Sequence, residues 1–389
     1  MNLEDLRNEI DNVDDKLVEL LTQRMALSGQ VAQAKLESDS PIFHPAREAE
    51  VLQRVCENTE PELHHALKTV YASVFQASRA QQCNLLAHAE QTQLMRDIET
   101  ATERGAQGWP TQTTVACQGI EGAYSHIAAR TLFEQPRVMF MRSFETVFRA
   151  VEQGLCKYGV LPIENSTYGS VTAVYDLLRK HRCSIVRGLR LPVHHCLLSR
   201  EKFLKDVKEI YSHEQALRQC AAFIERMGDR VTVHICENTA VAAKNVAQSD
   251  RPGAAAISSE ECAALYGLHV LKQNIQSLPQ NETRFICIAK QPEIYPGANK
   301  SSVLVSLPHR SGSLSELLQL LAGMGVNLTK LENRPAGSAA DSKFDVIFYL
   351  DLECDAAWPE HARVLEEMQH HSEDFQFLGS YAEESLPAL

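Results

Sequence analysis

Nowhere in the 389 residues does an uninterrupted apolar run approach the roughly 18 that a membrane-spanning helix needs. The opening residues, MNLEDLRNEID, carry acidic side chains and no apolar core, so no secretory signal is expected there. Positive charge is scarce: 38 Lys and Arg against 50 Asp and Glu leave a net charge of −12. That argues against a general nucleic-acid binder, which would be basic. A few local cations still suffice to dominate one pocket for a small anion. The eleven cysteines, spread from Cys56 to Cys354, include no CxxC pair. An odd, unpaired set points to reduced thiols in the cytoplasm rather than disulfides or zinc. The histidine pairs 64–65, 194–195 and 370–371 lack HExxH spacing and read as surface or structural, so no metal is expected. A dinucleotide fingerprint is missing, and so is a phosphate-loop lysine; no cofactor is expected.

What is present is three segments. The length predicts two or three domains, and 44% hydrophobic with 23% charged residues fits globular folding. Residues 3–36 place Leu3, Leu6, Ile10, Val13, Leu17, Leu20, Leu21, Leu27 and Val31 at helical spacing. A helix that long needs a partner helix to bury its stripe. Pro41 and Pro45 mark a turn; helices are predicted at about 46–57 and 61–89, and the polar stretch 90–112 reads as a helix tail and then a linker. From Thr113 the period changes. Strand-like runs such as TTVACQGI, RVMFMRS, GVLPIENS, KEIYS, RVTVHIC, PGAAAIS and RFICIA alternate with helical ones, predicting an α/β domain with a mostly parallel sheet. A second linker at 291–300 leads to a segment with the order βαββαβ, a ferredoxin-like α+β arrangement.

In the helical segment Arg24 and Lys35 are eleven residues apart, about three turns, and share a face. Arg47 and Glu48 open the second helix, and Ser78 and Gln82 are i,i+4 neighbours on the third. Taken singly, each reads more readily as a solvated side chain. As a set they resemble the AroQ-type chorismate mutase family, whose first helix is similar to LRNEIDNVDDKLVELLTQRMAL…VAQAK over nearly its full length. The resemblance implies an all-α mutase domain over 1–92. It places Arg7, Arg24, Lys35, His44, Arg47, Glu48, Ser78 and Gln82 at the site. The implied chemistry is the pericyclic rearrangement of chorismate to prephenate, which needs no nucleophile. Arginines clamp carboxylates, Lys35 and Gln82 donate to the ether oxygen as charge develops there, and Glu48 takes the ring hydroxyl. Where the family often has an acidic residue this chain has His44, which offers a backbone N–H. Arg7 precedes Arg24 by seventeen residues, about 25 Å along a helix, so Arg7 is expected to serve the site of a second subunit in a homodimer or higher oligomer.

Four polar clusters stand near strand ends of the middle segment: GIEGAYSH (119–126), PIENSTYGS (162–170), YSHEQAL (211–217) and NETRF (281–285). Each alone reads as a turn or helix cap. Together, in this order, and with SSEECAALYGL (258–268), they resemble the prephenate dehydratase family, over 113–290. The resemblance implies a two-lobed fold with the site in the cleft, where prephenate loses its ring hydroxyl and carboxylate to give phenylpyruvate. Thr283 hydrogen-bonds to the departing oxygen; Asn165, Ser166, Ser212 and Gln215 are polar contacts. Arg284 either clamps a carboxylate or anchors its loop. Glu214 stands where the family usually has proline.

Residues 301–380 resemble the ACT regulatory family. GSLSELL (312–318) and ENRP (332–335) imply a phenylalanine site using Gly312, Leu314, Glu332, Asn333 and Arg334, with Ser313 and Ser315 departing from that pattern. A plain dimerising module has the same outline. The three segments in series resemble a mutase–dehydratase fusion of phenylalanine biosynthesis inhibited by its end product. Two other readings stay open here: a two-lobed binding protein that senses an amino acid, and a mutase fused to a dehydrogenase, which would need the missing dinucleotide fingerprint.

Overall fold

A computed structural model of the chain describes residues 2–38, 45–87, 92–278, 280–335 and 346–386. The apolar spacing of the first segment, free of proline, yields one continuous helix, α1 (Leu3–Ser38). Pro45 stands at the first position of α2 (Pro45–Glu57), where its missing N–H costs nothing. A short 3-10 turn, Pro61–Leu63, leads into α3 (His64–Ala87). The polar stretch predicted as a helix tail and then a linker contains a separate helix, α4 (Gln93–Gly105). Its signal is the stripe Leu94, Ile98, Ala101, all buried, which the surrounding polar residues obscure in the sequence.

The chain then runs through β1 (Gln112–Gln118), α5 (Tyr124–Leu132), β2 (Gln135–Met141), α6 (Phe144–Glu152), β3 (Tyr158–Asn165), β4 (Gly169–Ser170), α7 (Thr172–Lys180) and β5 (Ser184–Pro192). Next come β6 (Cys196–Ser199), β7 (Glu209–Ser212), α8 (Glu214–Gln219), α9 (Ala221–Met227), β8 (Thr232–Ile235), α10 (Thr239–Gln248), β9 (Ala254–Ser258), α11 (Glu260–Tyr266), β10 (His269–Lys272) and β11 (Glu282–Ala289). The last stretch is β12 (Lys300–Ser306), α12 (Ser313–Gly323), β13 (Asn327–Pro335), β14 (Val346–Glu353), α13 (His361–His370), β15 (Asp374–Tyr381) and β16 (Glu383–Ser385).

These elements divide into two units. One comprises Met1–Asp97, Leu307–Val326 and Ala362–Glu373; the other comprises Ile98–Ser306, Asn327–His361 and Asp374–Leu389. In the first, the C-terminal half of α1 packs on α3, with Ala32 and Phe75 buried. Apolar residues elsewhere on α1 remain exposed in both halves: Leu3 is 65% accessible, Val18 64% and Leu27 60%. Among the described residues of one chain that stripe has no cover.

The second unit holds three sheets. The largest has the order β16-β5-β11-β3-β1-β2, with β4 beside β3; the next has the order β10-β6-β9-β7-β8. Both are mixed, which corrects the expectation of a mostly parallel sheet: β11 runs antiparallel to β3 and to β5, and β6 antiparallel to β9 and to β10. The reason is topological. The chain leaves the first sheet after β5, builds the second, and returns as β11, so β11 inserts against the direction of its neighbours. Two crossing segments therefore join the lobes, and they are tied together: the Val193 N–H donates to the Asn281 carbonyl (2.7 Å) and the Ile275 N–H to the His195 carbonyl (3.0 Å).

The third sheet is antiparallel, in the order β13-β14-β12-β15. For strands met in the chain order βαββαβ, this is the ferredoxin-like arrangement. It shares a core with the first sheet, since Leu304, Ile347, Tyr349, Leu378 and Tyr381 cluster with Ile185, Ile286 and Ile288. Contact is close enough that the Ile185 carbonyl oxygen lies 2.1 Å from where a Cβ of Gly379 would stand, which demands glycine there. Gly105 meets the same condition against the Ile294 carbonyl oxygen, 2.0 Å away. The described residues contain no helix long and apolar enough to cross a membrane.

Candidate active sites

In the helical unit, α1 and α3 bring Arg24, Lys35, Ser78 and Gln82 together. The Arg24 guanidinium donates to the Ser78 hydroxyl and lies 5.7 Å from the Phe75 ring centroid. Lys35 Nζ donates to Gln82 Oε1 (3.3 Å), and Gln82 Nε2 to Ser28 Oγ (3.0 Å). Ser28 was not singled out from the sequence; its signal is its position on α1 one turn beyond Arg24. Glu48, half-buried on α2, pairs with Arg79 of α3, another partner the sequence did not reveal. Arg47 is exposed and pairs with Glu50 at 2.8 Å. Arg7 is exposed near the start of α1, far along the same unbroken helix from Arg24. His44 lies outside the described residues.

In the second unit a cavity of about 410 Å³ opens between the first two sheets, lined from one lobe by Asn165, Thr283 and Phe285 and from the other by His213, Gln215 and Gln219. Thr283 faces Asn165 across the β11–β3 ladder. The Asn165 amide is oriented by its surroundings. Its Oδ1 accepts from the N–H groups of Thr167 and Tyr168, each at 3.1 Å, so the Nδ2 end faces Asn281 Oδ1 (2.9 Å) and Thr283 Oγ1 (3.0 Å). An NH₂ group has no lone pair to offer, so Thr283 Oγ1 accepts there, and its own proton stays available to a guest in the cavity. Phe144, Pro162, Val171, Val193 and Phe285 supply an apolar wall. Among the described residues the lining includes one carboxylate, Glu237, and no lysine or arginine. The first residues of α5 (Tyr124, Ser125) and α10 (Thr239, capped by Asn238) face the same space.

The structure separates the remaining expected residues from this cavity. Ser166 ties its loop to the next strand, accepting from the Glu282 N–H (2.9 Å) and donating to the Gln280 carbonyl (3.3 Å). Ser212 is fully buried and donates to the Ile257 carbonyl at 2.7 Å. Arg284, one residue from Thr283, points to the opposite face of β11, as strand alternation requires. It is 4% exposed, with Nη1 donating to Asp351 (2.5 Å), Nε to Glu383 (2.5 Å) and Nη2 to the Tyr381 hydroxyl (2.9 Å). Neither a substrate clamp nor a loop anchor describes this geometry. Arg284 joins β11 to the third sheet and β16. Burial opposes ionisation of Glu383, yet Arg284 and Lys300 outweigh it and hold the carboxyl down at about 2.

His195, expected to be surface or structural, lines the cavity and is 2% exposed. Its Nε2 lies 2.6 Å from Gln219 Oε1, and among the described residues its Nδ1 has no hydrogen-bond partner. Sequence pattern offered no signal for it, because its position depends on the crossing of the lobes.

Of the expected effector residues, Gly312 caps α12 with φ of +94°, in the left-handed region, and Leu314 follows it; both belong to the first unit. Glu332, Asn333 and Arg334 lie on β13 in the second unit. There Glu332 accepts from Ser170 Oγ (2.6 Å), Lys330 donates to Glu164 (2.7 Å) and Arg334 pairs with Asp176 (2.9 Å). Asn333, on the other face of the strand, is exposed.

Comparison with known proteins finds two family matches along the chain. Residues 6–83 match the family model of chorismate mutase type II, and residues 115–293 match that of prephenate dehydratase. The bifunctional chorismate mutase/prephenate dehydratase of Escherichia coli K12 is 32% identical over 390 aligned residues, covering 98% of this chain and 96% of that one. The Arabidopsis thaliana arogenate dehydratase/prephenate dehydratase 2 is 37% identical over 69% of this chain and 72% of its own. The Arthrobacter aurescens prephenate dehydratase, solved in complex with L-Phe, superposes with a TM-score of 0.62 at 29% identity, over 69% of this chain and 89% of its own. The chain belongs to the bifunctional chorismate mutase/prephenate dehydratase family. It carries both activities, an isomerase and a lyase.

Proposed function

We propose that the two activities reside in the α1–α3 cluster and in the two-lobed cavity, within domains spanning 1–92 and 113–290, and that residues 301–380 form a phenylalanine-responsive ACT domain. The enzyme then works in the cytoplasm, converting chorismate to phenylpyruvate by way of prephenate for phenylalanine synthesis, with no cofactor.

For the mutase, Arg24 binds a carboxylate of chorismate, with Ser78 beside it. Lys35 and Gln82 face the ether oxygen, where charge grows in the transition state. Arg47, Glu48 and the backbone at His44 complete the site. Arg7 completes the site of a second subunit. The uncovered apolar stripe of α1 supports a homodimer, because a second copy of the same helix supplies the missing cover.

For the dehydratase, the carrying observation is the Asn165–Thr283 bond at the cavity wall. Asn165 polarises the Thr283 hydroxyl, which donates to the C4 oxygen of prephenate as it leaves. Phe285 and its apolar neighbours hold the ring, Gln215 contacts a polar end, and the N-termini of α5 and α10 receive carboxylates in a cavity without a lining cation. Ser166 and Ser212 shape the wall, and Arg284 braces β11.

Regulation is supported by the contacts of β13. Glu332 and Lys330 bond to the β3–β4 hairpin that carries Asn165, so an effector drawing on Glu332, Asn333 and Arg334 shifts the strand that orients Thr283. One assay tests the whole reading. Chorismate is followed to prephenate and phenylpyruvate with and without phenylalanine. Both conversions are expected, the second slowed by phenylalanine; dehydratase turnover indifferent to saturating phenylalanine removes the regulatory part.

A further inference from the structure

The dehydratase reaction consumes a proton. Prephenate dianion and one proton become phenylpyruvate anion, carbon dioxide and water. The C1–carboxylate bond breaks and its electron pair enters the ring; the C4–O bond breaks, and the departing oxygen must gain a proton to leave as water. A threonine hydroxyl is a poor acid and needs a proton returned if it gives one up. We propose that His195, held by Gln219, takes up a proton as the substrate dianion binds and delivers it to the leaving hydroxyl, alongside the hydrogen bond from Thr283. The inference rests on reading the cavity as the dehydratase site.

The observations that carry it are geometric. His195 sits on one of the two segments that cross between the lobes, and its backbone is fixed on both sides: its N–H donates to Gln276 Oε1 (3.0 Å) and its carbonyl accepts from Ile275 (3.0 Å). Gln219, from α8, offers its amide oxygen to Nε2 at 2.6 Å, which places the ring proton on Nε2 and leaves the lone pair on Nδ1. That Nδ1 is buried and, among the described residues, has no hydrogen-bond partner, so its lone pair is left for a guest in the cavity it lines. The titratable groups around it are few. The Tyr124 ring of α5 meets it edge-on, with centroids 6.1 Å apart; His194 precedes it in the chain; His213 and Glu237 share the cavity wall. Burial lowers the His195 pKa, with Gln219 opposing and His194 assisting, so the resting ring is neutral. A bound dianion, in a cavity whose described lining residues include no lysine or arginine, reverses that balance and draws the proton onto Nδ1. Product carries one charge fewer, and the neutral ring returns.

The test is the pH dependence of dehydratase turnover on supplied prephenate, with mutase activity of the same preparation as the control for folding. In the wild type, kcat should fall as pH rises through the His195 pKa in the complex. His195→Asn should lower kcat about 10²-fold, change KM far less, and abolish that falling limb. Gln219→Glu places a carboxylate on Nε2 and should move the limb about one unit or more to higher pH. A purely structural histidine would not move the limb in either variant. If His195→Asn does not fold, the position of the Gln219→Glu limb decides alone. A wild-type kcat that does not fall with pH, or a limb unmoved in the variants, overturns the inference while leaving the site intact. Normal turnover in Thr283→Ala would instead overturn the reading of the cavity, and the inference with it.

Discussion

The helical region and the two-lobed region solve the problem of holding an anion in opposite ways. The α1–α3 cluster gathers cations, Arg24 and Lys35, on helices whose apolar stripe is largely uncovered. The cavity gathers neutral donors and helix N-termini within a fully packed core, with no lysine or arginine in its lining. On the proposed reading, the first design is finished by a second copy of the chain. On the same reading the second is complete in one chain, and its electrostatics turn on the proposed change of charge at His195. A pericyclic reaction needs only fixed charges that grip a compact conformer. Loss of a hydroxyl needs a proton to be moved.

The sharpest way to break this comparison is to remove one site at a time. Lys35→Ala should cost the mutase about 10²–10³-fold in kcat, by loss of a donor at the developing charge, and leave dehydratase activity on supplied prephenate unchanged. Loss of both activities in a folded variant would mean the sites are not separate. Thr283→Ala should reduce dehydratase kcat about 10²-fold with a smaller change in KM, while Thr283→Ser keeps much of the activity. Equal effects of Ala and Ser would show that the hydroxyl is not what the residue contributes.

The subunit-sharing half of the comparison yields to mixing. Arg7→Ala and Arg24→Ala dimers should each be nearly inactive as mutases. Random re-pairing makes about half the dimers mixed, each with one intact site, so roughly a quarter of wild-type activity should return. No recovery, with mixed dimers shown to form by native mass spectrometry, would place both arginines in one chain's site.

The smallest expected effect concerns stability. The Glu383 carboxyl, held at about 2 where an ordinary glutamate titrates near 4.5, binds its proton less readily in the folded state than in the unfolded chain. Its contribution is therefore present above about pH 4.5 and is lost as pH falls toward 2; by linkage it is on the order of a few kcal/mol. Glu383→Gln should flatten the acid limb of unfolding free energy in that window. A limb of unchanged slope would show that Arg284 and Lys300 are satisfied without it.

Much of this molecule was legible in its residues. The spacing from Leu3 to Val31 predicted α1, and the alternation of strands and helices from Thr113 predicted an α/β region. The clusters at Asn165 and Thr283 were recognisable because each is a short, continuous motif at a strand end. The βαββαβ order likewise follows from local periodicity. Helix α4 was read only as a helix tail because the stripe of Leu94, Ile98 and Ala101 in a polar stretch falls below what composition shows.

What the sequence determined by itself was therefore whatever is written in neighbouring residues: helix and strand periods, the polar motifs, and the need of α1 for a partner. Only the tertiary structure decided which of those residues share a space. It turned Arg284 away from the cavity, because side chains alternate along β11 and its neighbour Thr283 already faces in. It inserted β11 antiparallel, because the chain must return from the second lobe. It brought His195 to Gln219, twenty-four residues away, at the crossing of the lobes. Contacts of that kind depend on where whole elements pack, and no local pattern encodes them.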